Sequence, residues 1–401
     1  MVHEMRYINI SSLSEAEDEL TKIGVDSYGI KAMVPKMNNV NVILEGIECK
    51  IGNIMKQEML SIGGDVAVSR GTVDCSISQT DAIIMGTVKQ LRRFADKISI
   101  QPFGLKKISH DIKELLDNLS RRTFIVKTPE REIKLGERTL IMGIINVTPD
   151  SFSDGGMFDR VDEAVRYGVS LVEEGADILD VGGESSRPGA DSVSTEDELE
   201  RVIPLLKELK KNVCVPISID TTKADVARVA CEEGAEIVND ISALRSDAEM
   251  SGIIKRYKVP LILMHMKGVP KTMQTGDISY RSVTGEIIQF LAERIENVRS
   301  IGINTENIII DPGIGFGKTT QDNLTLLKYL KEFKMLGLPM LVGTSRKRFI
   351  GDITGGEPLD RIEGTAATVT AAIMNGAHIV RVHDVKFMNR VCRMTDAIMN
   401  G

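Results

Sequence analysis

The sequence predicts an α/β protein in which a (β/α)8 barrel follows a small α/β or α+β N-terminal domain. From Thr139 onward, eight short apolar runs alternate with eight segments of helical spacing. Together they fill about 260 residues, and a (β/α)8 barrel typically has about 250. The region lacks the glycine-rich dinucleotide fingerprint that would favour the runner-up, a doubly wound open sheet.

Each apolar run is short enough for one buried strand and is followed by a polar turn and then by helical spacing. The predicted strands are residues 140–145, 178–181, 215–219, 237–238, 261–264, 308–310, 340–342 and 379–380. The predicted helices follow Asp162, Thr195, Thr222, Asp247, Ser282, Asp322, Arg361 and Val385. Thr195 with Glu198 and Thr222 with Asp225 match the capping-box pattern of helix starts.

The pattern of short strands and helices over residues 1–120 predicts a separate N-terminal domain, to which the sequence assigns no role. Strands are predicted at 7–10, 40–44, 66–68 and 82–85, and helices at 15–23, 51–60, 88–98 and 108–119. Residues 121–138 are predicted to be a linker. Their alternating apolar residues indicate a hairpin that closes the bottom of the next domain. The barrel itself is predicted over residues 139–401.

Composition limits the classes of function. The chain has 401 residues and a net charge of −7, so no overall basic field attracts nucleic acid or an anionic membrane. Aromatic residues are only 4% and Trp is absent, which argues against stacking platforms for single strands. No apolar run has the roughly 20 residues of a membrane helix, and no signal peptide is evident, so we expect a cytoplasmic protein.

The five cysteines are scattered and form no Cys-x-x-Cys pair. Their spacing supports neither a zinc site nor a disulfide framework. We therefore expect buried thiols in a reducing compartment.

Polar residues stand where each predicted strand ends, and in a parallel barrel these positions meet at the rim that carries active sites. A single Asp after a strand is often only a helix cap, but the pattern holds at all eight ends. The residues are Asn146, 182–189, Asp220, Asn239 with Asp240, His265, 311–313, 343–347, and Arg381 with His383 and Asp384.

The chemistry of this ring falls into two groups. Asp220, Asn239 and Asp311 suit the in-plane donors and acceptors of a flat heterocycle in a pocket poor in water. Cationic side chains, together with the loop amides after Asn146, suit a phosphate or diphosphate. Nothing indicates a serine or cysteine nucleophile with its base, so the pattern favours group transfer with diphosphate as the leaving group. The cationic group is Arg187, Lys347, Arg381 and His383.

The segments NVTPDSFSDGG (146–156) and DVGGESSRPG (180–189) resemble the two signature motifs of the dihydropteroate synthases. The similarity extends over residues 139–401, and all eight strand-end motifs agree in order. The resemblance implies a transferase that joins 6-hydroxymethyl-7,8-dihydropterin diphosphate to p-aminobenzoate, or a close derivative, in folate biosynthesis. It also implies a homodimer and Mg2+ as cofactor.

The resemblance implies a role for each matching residue. The pterin would be bound by Asp220, Asn239, Met264, Asp311, Gly343 and Lys347. The diphosphate would be bound by Asn146, Arg187, Arg381 and His383, with Asn146 also a magnesium ligand. The p-aminobenzoate would be framed by Phe152, Ser186, Arg187, Pro188, Phe316 and Ser345. Catalysis would depend on Asp220, Asp311, Lys347 and Arg381.

Two positions depart from the family pattern, Ser186 where Thr is usual and Arg348 where Ser is common, and both bear on the choice of amine. The loops after the first two strands are expected to close over the site and exclude water. One alternative is a pterin-dependent methyltransferase domain serving a corrinoid protein, which has no reason to hold diphosphate. A non-catalytic regulator would not need the intact ring.

Overall fold

The computed structural model describes residues 6–10, 12–147, 157–185, 193–268, 273 and 278–400, and the side chains of 157–160 are not described. The chain divides into two compact units, Met1–Arg121 and Arg122–Gly401. Among the described residues, no helix combines the length and the apolar character needed to cross a membrane.

Over its described residues, the N-terminal unit is a three-stranded antiparallel sheet in the order β1-β3-β2 with five α-helices. One sheet face is buried at Val66, Ala82 and Ile84 and packs with helix residues such as Leu91 and Phe94. Its elements are α1 (Leu13–Lys22), α2 (Ser27–Met37), β1 (Asn39–Glu48), α3 (Cys49–Leu60), β2 (Asp65–Val68), β3 (Gln79–Thr87), α4 (Val88–Ile98) and α5 (Leu105–Ser120).

Three expectations for this unit were wrong. Residues 7–10 are not a strand, and α2, which buries no residue and contains Pro35, was not predicted. Cys49 and Cys75 form a disulfide with a Cα–Cα distance of 5.7 Å, whereas the sequence spacing indicated free thiols. The pairing depends on how the loop after β2 folds back onto the start of α3, which sequence spacing cannot reveal.

The second unit begins with an antiparallel hairpin, β4 (Phe124–Lys127) and β5 (Glu132–Leu135), and continues as a barrel. The barrel strands are β6 (Leu140–Asn146), β7 (Ile178–Gly182), β8 (Ile217–Asp220), β9 (Ile237–Asp240), β10 (Leu261–Met264), β11 (Ile308–Asp311), β12 (Leu341–Val342) and β13 (Ile379–Val382). They lie parallel in the order β11-β10-β9-β8-β7-β6-β13-β12. A parallel bridge between Ile310 and Met340 joins the two ends, which confirms the predicted barrel.

Helices connect the strands on the outside. They are α6 (Met157–Glu173), α7 (Thr195–Asn212), α8 (Ala224–Glu232), α9 (Met250–Tyr257), α10 (Val283–Ser300), α11 (Thr320–Tyr329), α12 (Arg348–Thr354), α13 (Ile362–Met374) and α14 (Val385–Asn400). The short helix α12 was not predicted as an element separate from α13.

Neither predicted capping box forms, because neither Thr195 nor Thr222 is the N-cap residue of its helix. Ser194, not Thr195, caps α7 by accepting from Asp197 N–H, while Glu198 is bound to Lys223 at 2.5 Å. The first turn of α8 is capped from the next connection, where Asp247 accepts from Ala224 N–H at 2.9 Å.

The hairpin β4–β5 closes the bottom of the barrel, as its apolar pattern indicated. Phe124, Val126, Ile133 and Leu135 belong to one buried cluster with apolar residues from the strands. Because side chains of a strand alternate between faces, these strand residues define the lowest inward layer of the barrel. They are Leu140, Met142, Ile178, Ile237, Ile262, Ile309, Leu341 and Ile379.

This plug yields a prediction about fragments. A fragment of residues 122–401 keeps both hairpin strands and should fold with a cooperative thermal transition. A fragment of residues 131–401 lacks Phe124 and Val126, which are 6% and 0% exposed. Removing two such side chains should lower the free energy of unfolding by about 3 kcal/mol or more. Urea unfolding of the two fragments measures the difference, and equal stability would contradict the plug.

Candidate functional site

The residues two positions above the apolar bottom layer form a second inward layer, because residues i and i+2 of a strand share a face. This layer changes character from aliphatic to polar. It contains Asp180 on β7, Asn239 on β9, Met264 on β10, Asp311 on β11, Gly343 after β12 and Arg381 on β13. Five of these six were predicted as site residues, and the barrel brings them together at the carboxyl ends of the strands.

Arg381 occupies the centre of this polar layer between two carboxylates. Its Nε donates to Asp180 Oδ2 at 2.6 Å, and its Nη2 donates to Asp220 Oδ2 at 2.8 Å. Asn239 Nδ2 also donates to Asp180 Oδ2, at 3.1 Å. Asp180 is 0% exposed, and its Oδ1 has no hydrogen-bond partner among the described residues.

Asp180 was missed as a site residue, although it lies within the second motif. The signal was present, since a carboxylate in the middle of the otherwise apolar run Ile178–Gly182 needs a partner inside the barrel.

Burial raises the pKa of Asp220 to about 7, and the nearby Arg381 cation only partly opposes this. The negative charges of Asp180, Glu198 and Asp240 raise the pKa of Asp220 further. Lys347 also lies close enough to interact with Asp220. Asp220 is therefore poised between its two protonation states near neutral pH.

Asp311 and Lys347 form the opposite side of the ring. Asp311 is 7% exposed and accepts from Gly313 N–H at 2.7 Å. The half-buried Lys347 donates to the Ile314 carbonyl, and its Nζ lies 4.4 Å from the centroid of the Phe316 ring. Burial lowers the pKa of Lys347 to about 8, Arg381 lowers it further, and Asp311 and Asp220 oppose the change.

The glycine-rich connection after β11 follows a path that other residues would block. Gly313 has φ +67°, and a Cβ there would lie 2.0 Å from the His265 carbonyl oxygen. The buried Lys318, which the sequence analysis missed, donates to the carbonyls of His265 and Phe316 at 3.3 and 3.0 Å. Lys318 thereby fastens this connection to the end of β10.

His265 does not take part in the polar ring as a cation. Its Nδ1 lies 3.0 Å from Lys318 Nζ, and its ring meets Phe290 edge-on at 4.9 Å. Burial, followed by the charge of Lys318, lowers the pKa of His265 to about 2. The imidazole is therefore a neutral packing and hydrogen-bonding group.

Ser345 and His383 are brought together at the ends of β12 and β13. Ser345 Oγ lies 3.0 Å from His383 Nδ1 and accepts from His383 N–H at 3.2 Å. Next to them Arg346 donates from Nε and Nη2 to Asp384 at 3.0 and 2.5 Å. This bidentate pair holds the two strand-end loops in a fixed relation.

Asn146 ends β6 and is half-buried, and its Oδ1 lies 3.8 Å from the position that a Cβ on Gly182 would take. Phe152, Ser186, Arg187 and Pro188 lie outside the described residues. So do the parts of the first two strand-end loops that were expected to close over the site. Among the described residues, no group of three His, Cys, Asp or Glu side chains could hold a metal ion.

Comparison with known proteins connects this geometry to a family. Residues 142–383 match the model of the family described as pterin binding enzyme. A dihydropteroate synthase of Synechocystis sp. is 49% identical over 264 residues, covering 66% of this chain and 91% of that protein. The structure of Xanthomonas albilineans dihydropteroate synthase with 4-aminobenzoic acid superposes with a TM-score of 0.65 at 42% identity, covering 70% of this chain and 99% of that one.

A third relative also matches the N-terminal unit. It is a probable bifunctional folylpolyglutamate synthase/dihydropteroate synthase of Halobacterium salinarum, 38% identical over 393 residues. The match covers 98% of this chain but only 47% of that protein.

The raised pKa of Asp220 predicts a pH-dependent effect on stability. An unfolded aspartate has a pKa of about 3.9, below the folded value of about 7. The folded state therefore binds the extra proton between these values, and the stability contributed by this site is lost as the pH rises through the folded pKa. Asp220→Asn cannot ionise, so its Tm should exceed that of the wild type by more at about pH 8 than at about pH 5.

Thermal unfolding of both proteins at the two pH values measures this effect. A difference of about 1 kcal/mol corresponds to about 2–4 °C for a domain of roughly 150–250 residues, and somewhat less for a larger one. Asp225→Asn is the matched control, because the Asp225 carboxylate is exposed and paired with Arg228 on the same helix. A Tm difference that is the same at both pH values would contradict the assignment.

Proposed function

The chain belongs to the pterin binding enzyme family, and we propose that it acts as a dihydropteroate synthase. This transferase joins 6-hydroxymethyl-7,8-dihydropterin diphosphate to p-aminobenzoate, or a close derivative, and releases diphosphate. The observation that carries the proposal is the buried ring in which Arg381 lies between Asp180 and Asp220. Such a ring presents both carboxylates and cations at one barrel rim.

The pterin subsite is proposed at the carboxylate and amide side of the ring. Asp220, Asn239 and Asp311 offer oxygens that accept from the ring N–H and amino groups of a pterin. Lys347 offers a donor for the pterin carbonyl oxygen, and Met264, 2% exposed, supplies an apolar wall. Gly343 lies beside Arg381, since a Cβ there would be in ordinary contact with Arg381 Cβ at 3.7 Å.

The diphosphate subsite is proposed at the cationic side. Arg381 uses Nε and Nη2 for the two carboxylates, and its Nη1 makes no hydrogen bond with the described residues. His383 follows two residues later, and Arg187 is assigned to the same group by sequence. Charge-assisted hydrogen bonds from such groups are shorter and stronger than neutral ones.

Mg2+ is part of the same proposal, with Asn146 as its protein ligand. Magnesium prefers oxygen ligands, keeps several waters and is usually held by one or two protein groups together with substrate phosphates. An Asn side-chain oxygen at the rim fits that pattern, and a protein cage of several carboxylates is not required. When bound, the ion would neutralise charge on the departing diphosphate.

The polar layer can perform the transfer by electrostatic means. As the bond to the diphosphate lengthens, positive charge develops on the pterin, and the carboxylates of Asp220 and Asp311 stabilise it when they are ionised. Arg381 and His383 stabilise the opposite charge on the leaving group. The weakly basic amine then attacks the exocyclic carbon, the bond from that carbon to the diphosphate oxygen is broken, and the amine releases a proton to solvent. No covalent enzyme intermediate is needed.

The amine subsite is proposed beside Phe316 and Ser345, with Phe152, Ser186, Arg187 and Pro188 as the remaining wall. Arg348, one of the two departures from the family pattern, is 73% exposed in its side chain and lies 3.7 Å from Asp352.

A homodimer completes the proposal, and the outer surface of the barrel supports it. On α14, Phe387, Met394 and Ile398 are spaced to share one helix face and are 54, 63 and 60% exposed. Met374 at the end of the neighbouring α13 is 50% exposed. Contiguous exposed apolar residues mark interfaces between proteins. Sedimentation should give a dimer for the wild type and a monomer for Phe387→Glu/Met394→Glu, whereas a monomeric wild type would contradict the proposal.

The direct test of function is the assay of pteroate formation. Wild-type protein with pterin diphosphate, Mg2+ and p-aminobenzoate should form dihydropteroate, and chelation of Mg2+ should stop the reaction. Asp220→Asn should lower kcat by about 10²–10³, the scale for losing one preorganised electrostatic group, while Asp225→Asn should retain it. Formation of no product by the folded wild type, with free p-aminobenzoate or with its derivatives, would overturn the proposed function.

A further inference from the structure

We propose that Asp180 is a positioning residue, which fixes Arg381 and Asn239 and so couples the diphosphate and pterin subsites. The inference rests on the proposed function for the identity of its ligands. It depends on a contact that motif analysis did not assign, since Asp180 was predicted neither to bind nor to catalyse.

One oxygen of Asp180 holds two side chains that belong to different subsites. Its Oδ2 accepts from Arg381 Nε at 2.6 Å and from Asn239 Nδ2 at 3.1 Å. An ionised carboxylate only accepts hydrogen bonds, so both partners must turn an N–H toward it. Asp180 thereby decides which atoms the two partners have left for a ligand.

For Asn239 the consequence is the orientation of its amide. With Nδ2 committed to Asp180, the amide oxygen faces away and makes no hydrogen bond with the described residues. That oxygen is the acceptor that a pterin ring donor requires. Without a charged acceptor beside it, the amide of Asn239 could turn and present its N–H groups to the pterin instead.

For Arg381 the consequence is that the plane of its guanidinium group is fixed. Asp180 and Asp220 hold Nε and Nη2 from two sides, and a fork held at two points can swing little. Its remaining nitrogen, Nη1, then has a fixed direction. A fixed donor loses less conformational freedom when it binds phosphate than a mobile one.

The burial of Asp180 supports positioning rather than stabilisation. The residue is 0% exposed, its Oδ1 lacks a partner among the described residues, and the neighbouring Ser218 Oγ on β8 is likewise buried and unpaired. The pairing of Asp180 with Ser218 across β7 and β8 places both in the same inward layer. A buried ion pair with unsatisfied oxygens contributes little to stability, so its presence in the site indicates a functional constraint.

The experiment measures affinity for two ligands, pterin diphosphate and the pterin alcohol that lacks the diphosphate. Asp180→Asn should weaken binding of the pterin alcohol by about 3- to 10-fold, because Asn239 is no longer oriented. It should weaken binding of pterin diphosphate by about 10- to 100-fold, because Arg381 is also released. Asp220 still pairs with Arg381 in this variant, so the protein should stay folded, with a Tm at or somewhat below that of the wild type because one partner of a buried ion pair is lost. Asp180→Ser, which removes the charge without adding an N–H, should give the same order of losses and replaces Asp180→Asn if that variant does not fold.

Two further variants separate positioning from a general loss of structure. Asp177→Asn is the matched control, because Asp177 precedes the same strand and pairs with Arg138 at 2.5 Å at the opposite end of the barrel. It should change neither affinity. In an Arg381→Ala background, Asp180→Asn should weaken binding of pterin diphosphate no more than binding of the pterin alcohol, because the contribution through Arg381 is already gone.

Three results would overturn the inference. They are wild-type affinities in Asp180→Asn, equal losses in Asp177→Asn, and a diphosphate-specific loss that persists unchanged without Arg381. Wild-type protein that binds neither ligand would instead overturn the proposed function, and the inference with it. If the wild-type protein binds both ligands and forms dihydropteroate, the proposed function stands. The variants alone then decide whether Asp180 is a positioning residue.

Discussion

The site depends on one buried cation held between two buried carboxylates. Asp180 and Asp220 balance the charge of Arg381 inside the barrel, because an unpaired charge is costly in a medium of low polarity. The balance is incomplete, since burial still raises the pKa of Asp220 to about 7. The ring is therefore charged but not fully neutralised, which suits a ligand that carries both hydrogen-bond donors and negative charge.

The barrel can hold these buried charges because its interior is divided into two layers. The lower layer is aliphatic and is closed by Phe124, Val126, Ile133 and Leu135 of the hairpin, so its hydrophobic burial stabilises the fold. The upper layer can then hold charges that stabilise little. The two layers are only two residues apart along six of the strands, so a shift of one residue in strand register would point the site residues outward.

The connections above the ring hold the strand ends in place. Lys318 fastens the glycine-rich connection after β11 to β10, Arg346 with Asp384 joins the connections after β12 and β13, and Lys223 joins those after β7 and β8 through Glu184 and Glu198. Each clamp is formed by a long basic side chain that reaches across from one connection to another. The N-terminal unit is a compact fold of its own, matched over its length by the relative from Halobacterium salinarum.

The sequence by itself determined the barrel, the order of its strands and most of the polar ring, because strand periodicity and strand-end residues are local properties that survive in the linear chain. It did not determine the helix caps at Ser194 and Asp247, the Cys49–Cys75 disulfide or the clamp at Lys318. These depend on partners contributed by distant segments. Asp180 shows the difference most clearly, since its motif was visible in the sequence. Only closure of the sheet brings Arg381, 201 residues away in the chain, against its carboxylate, and that contact turns a residue of a buried strand into part of the site.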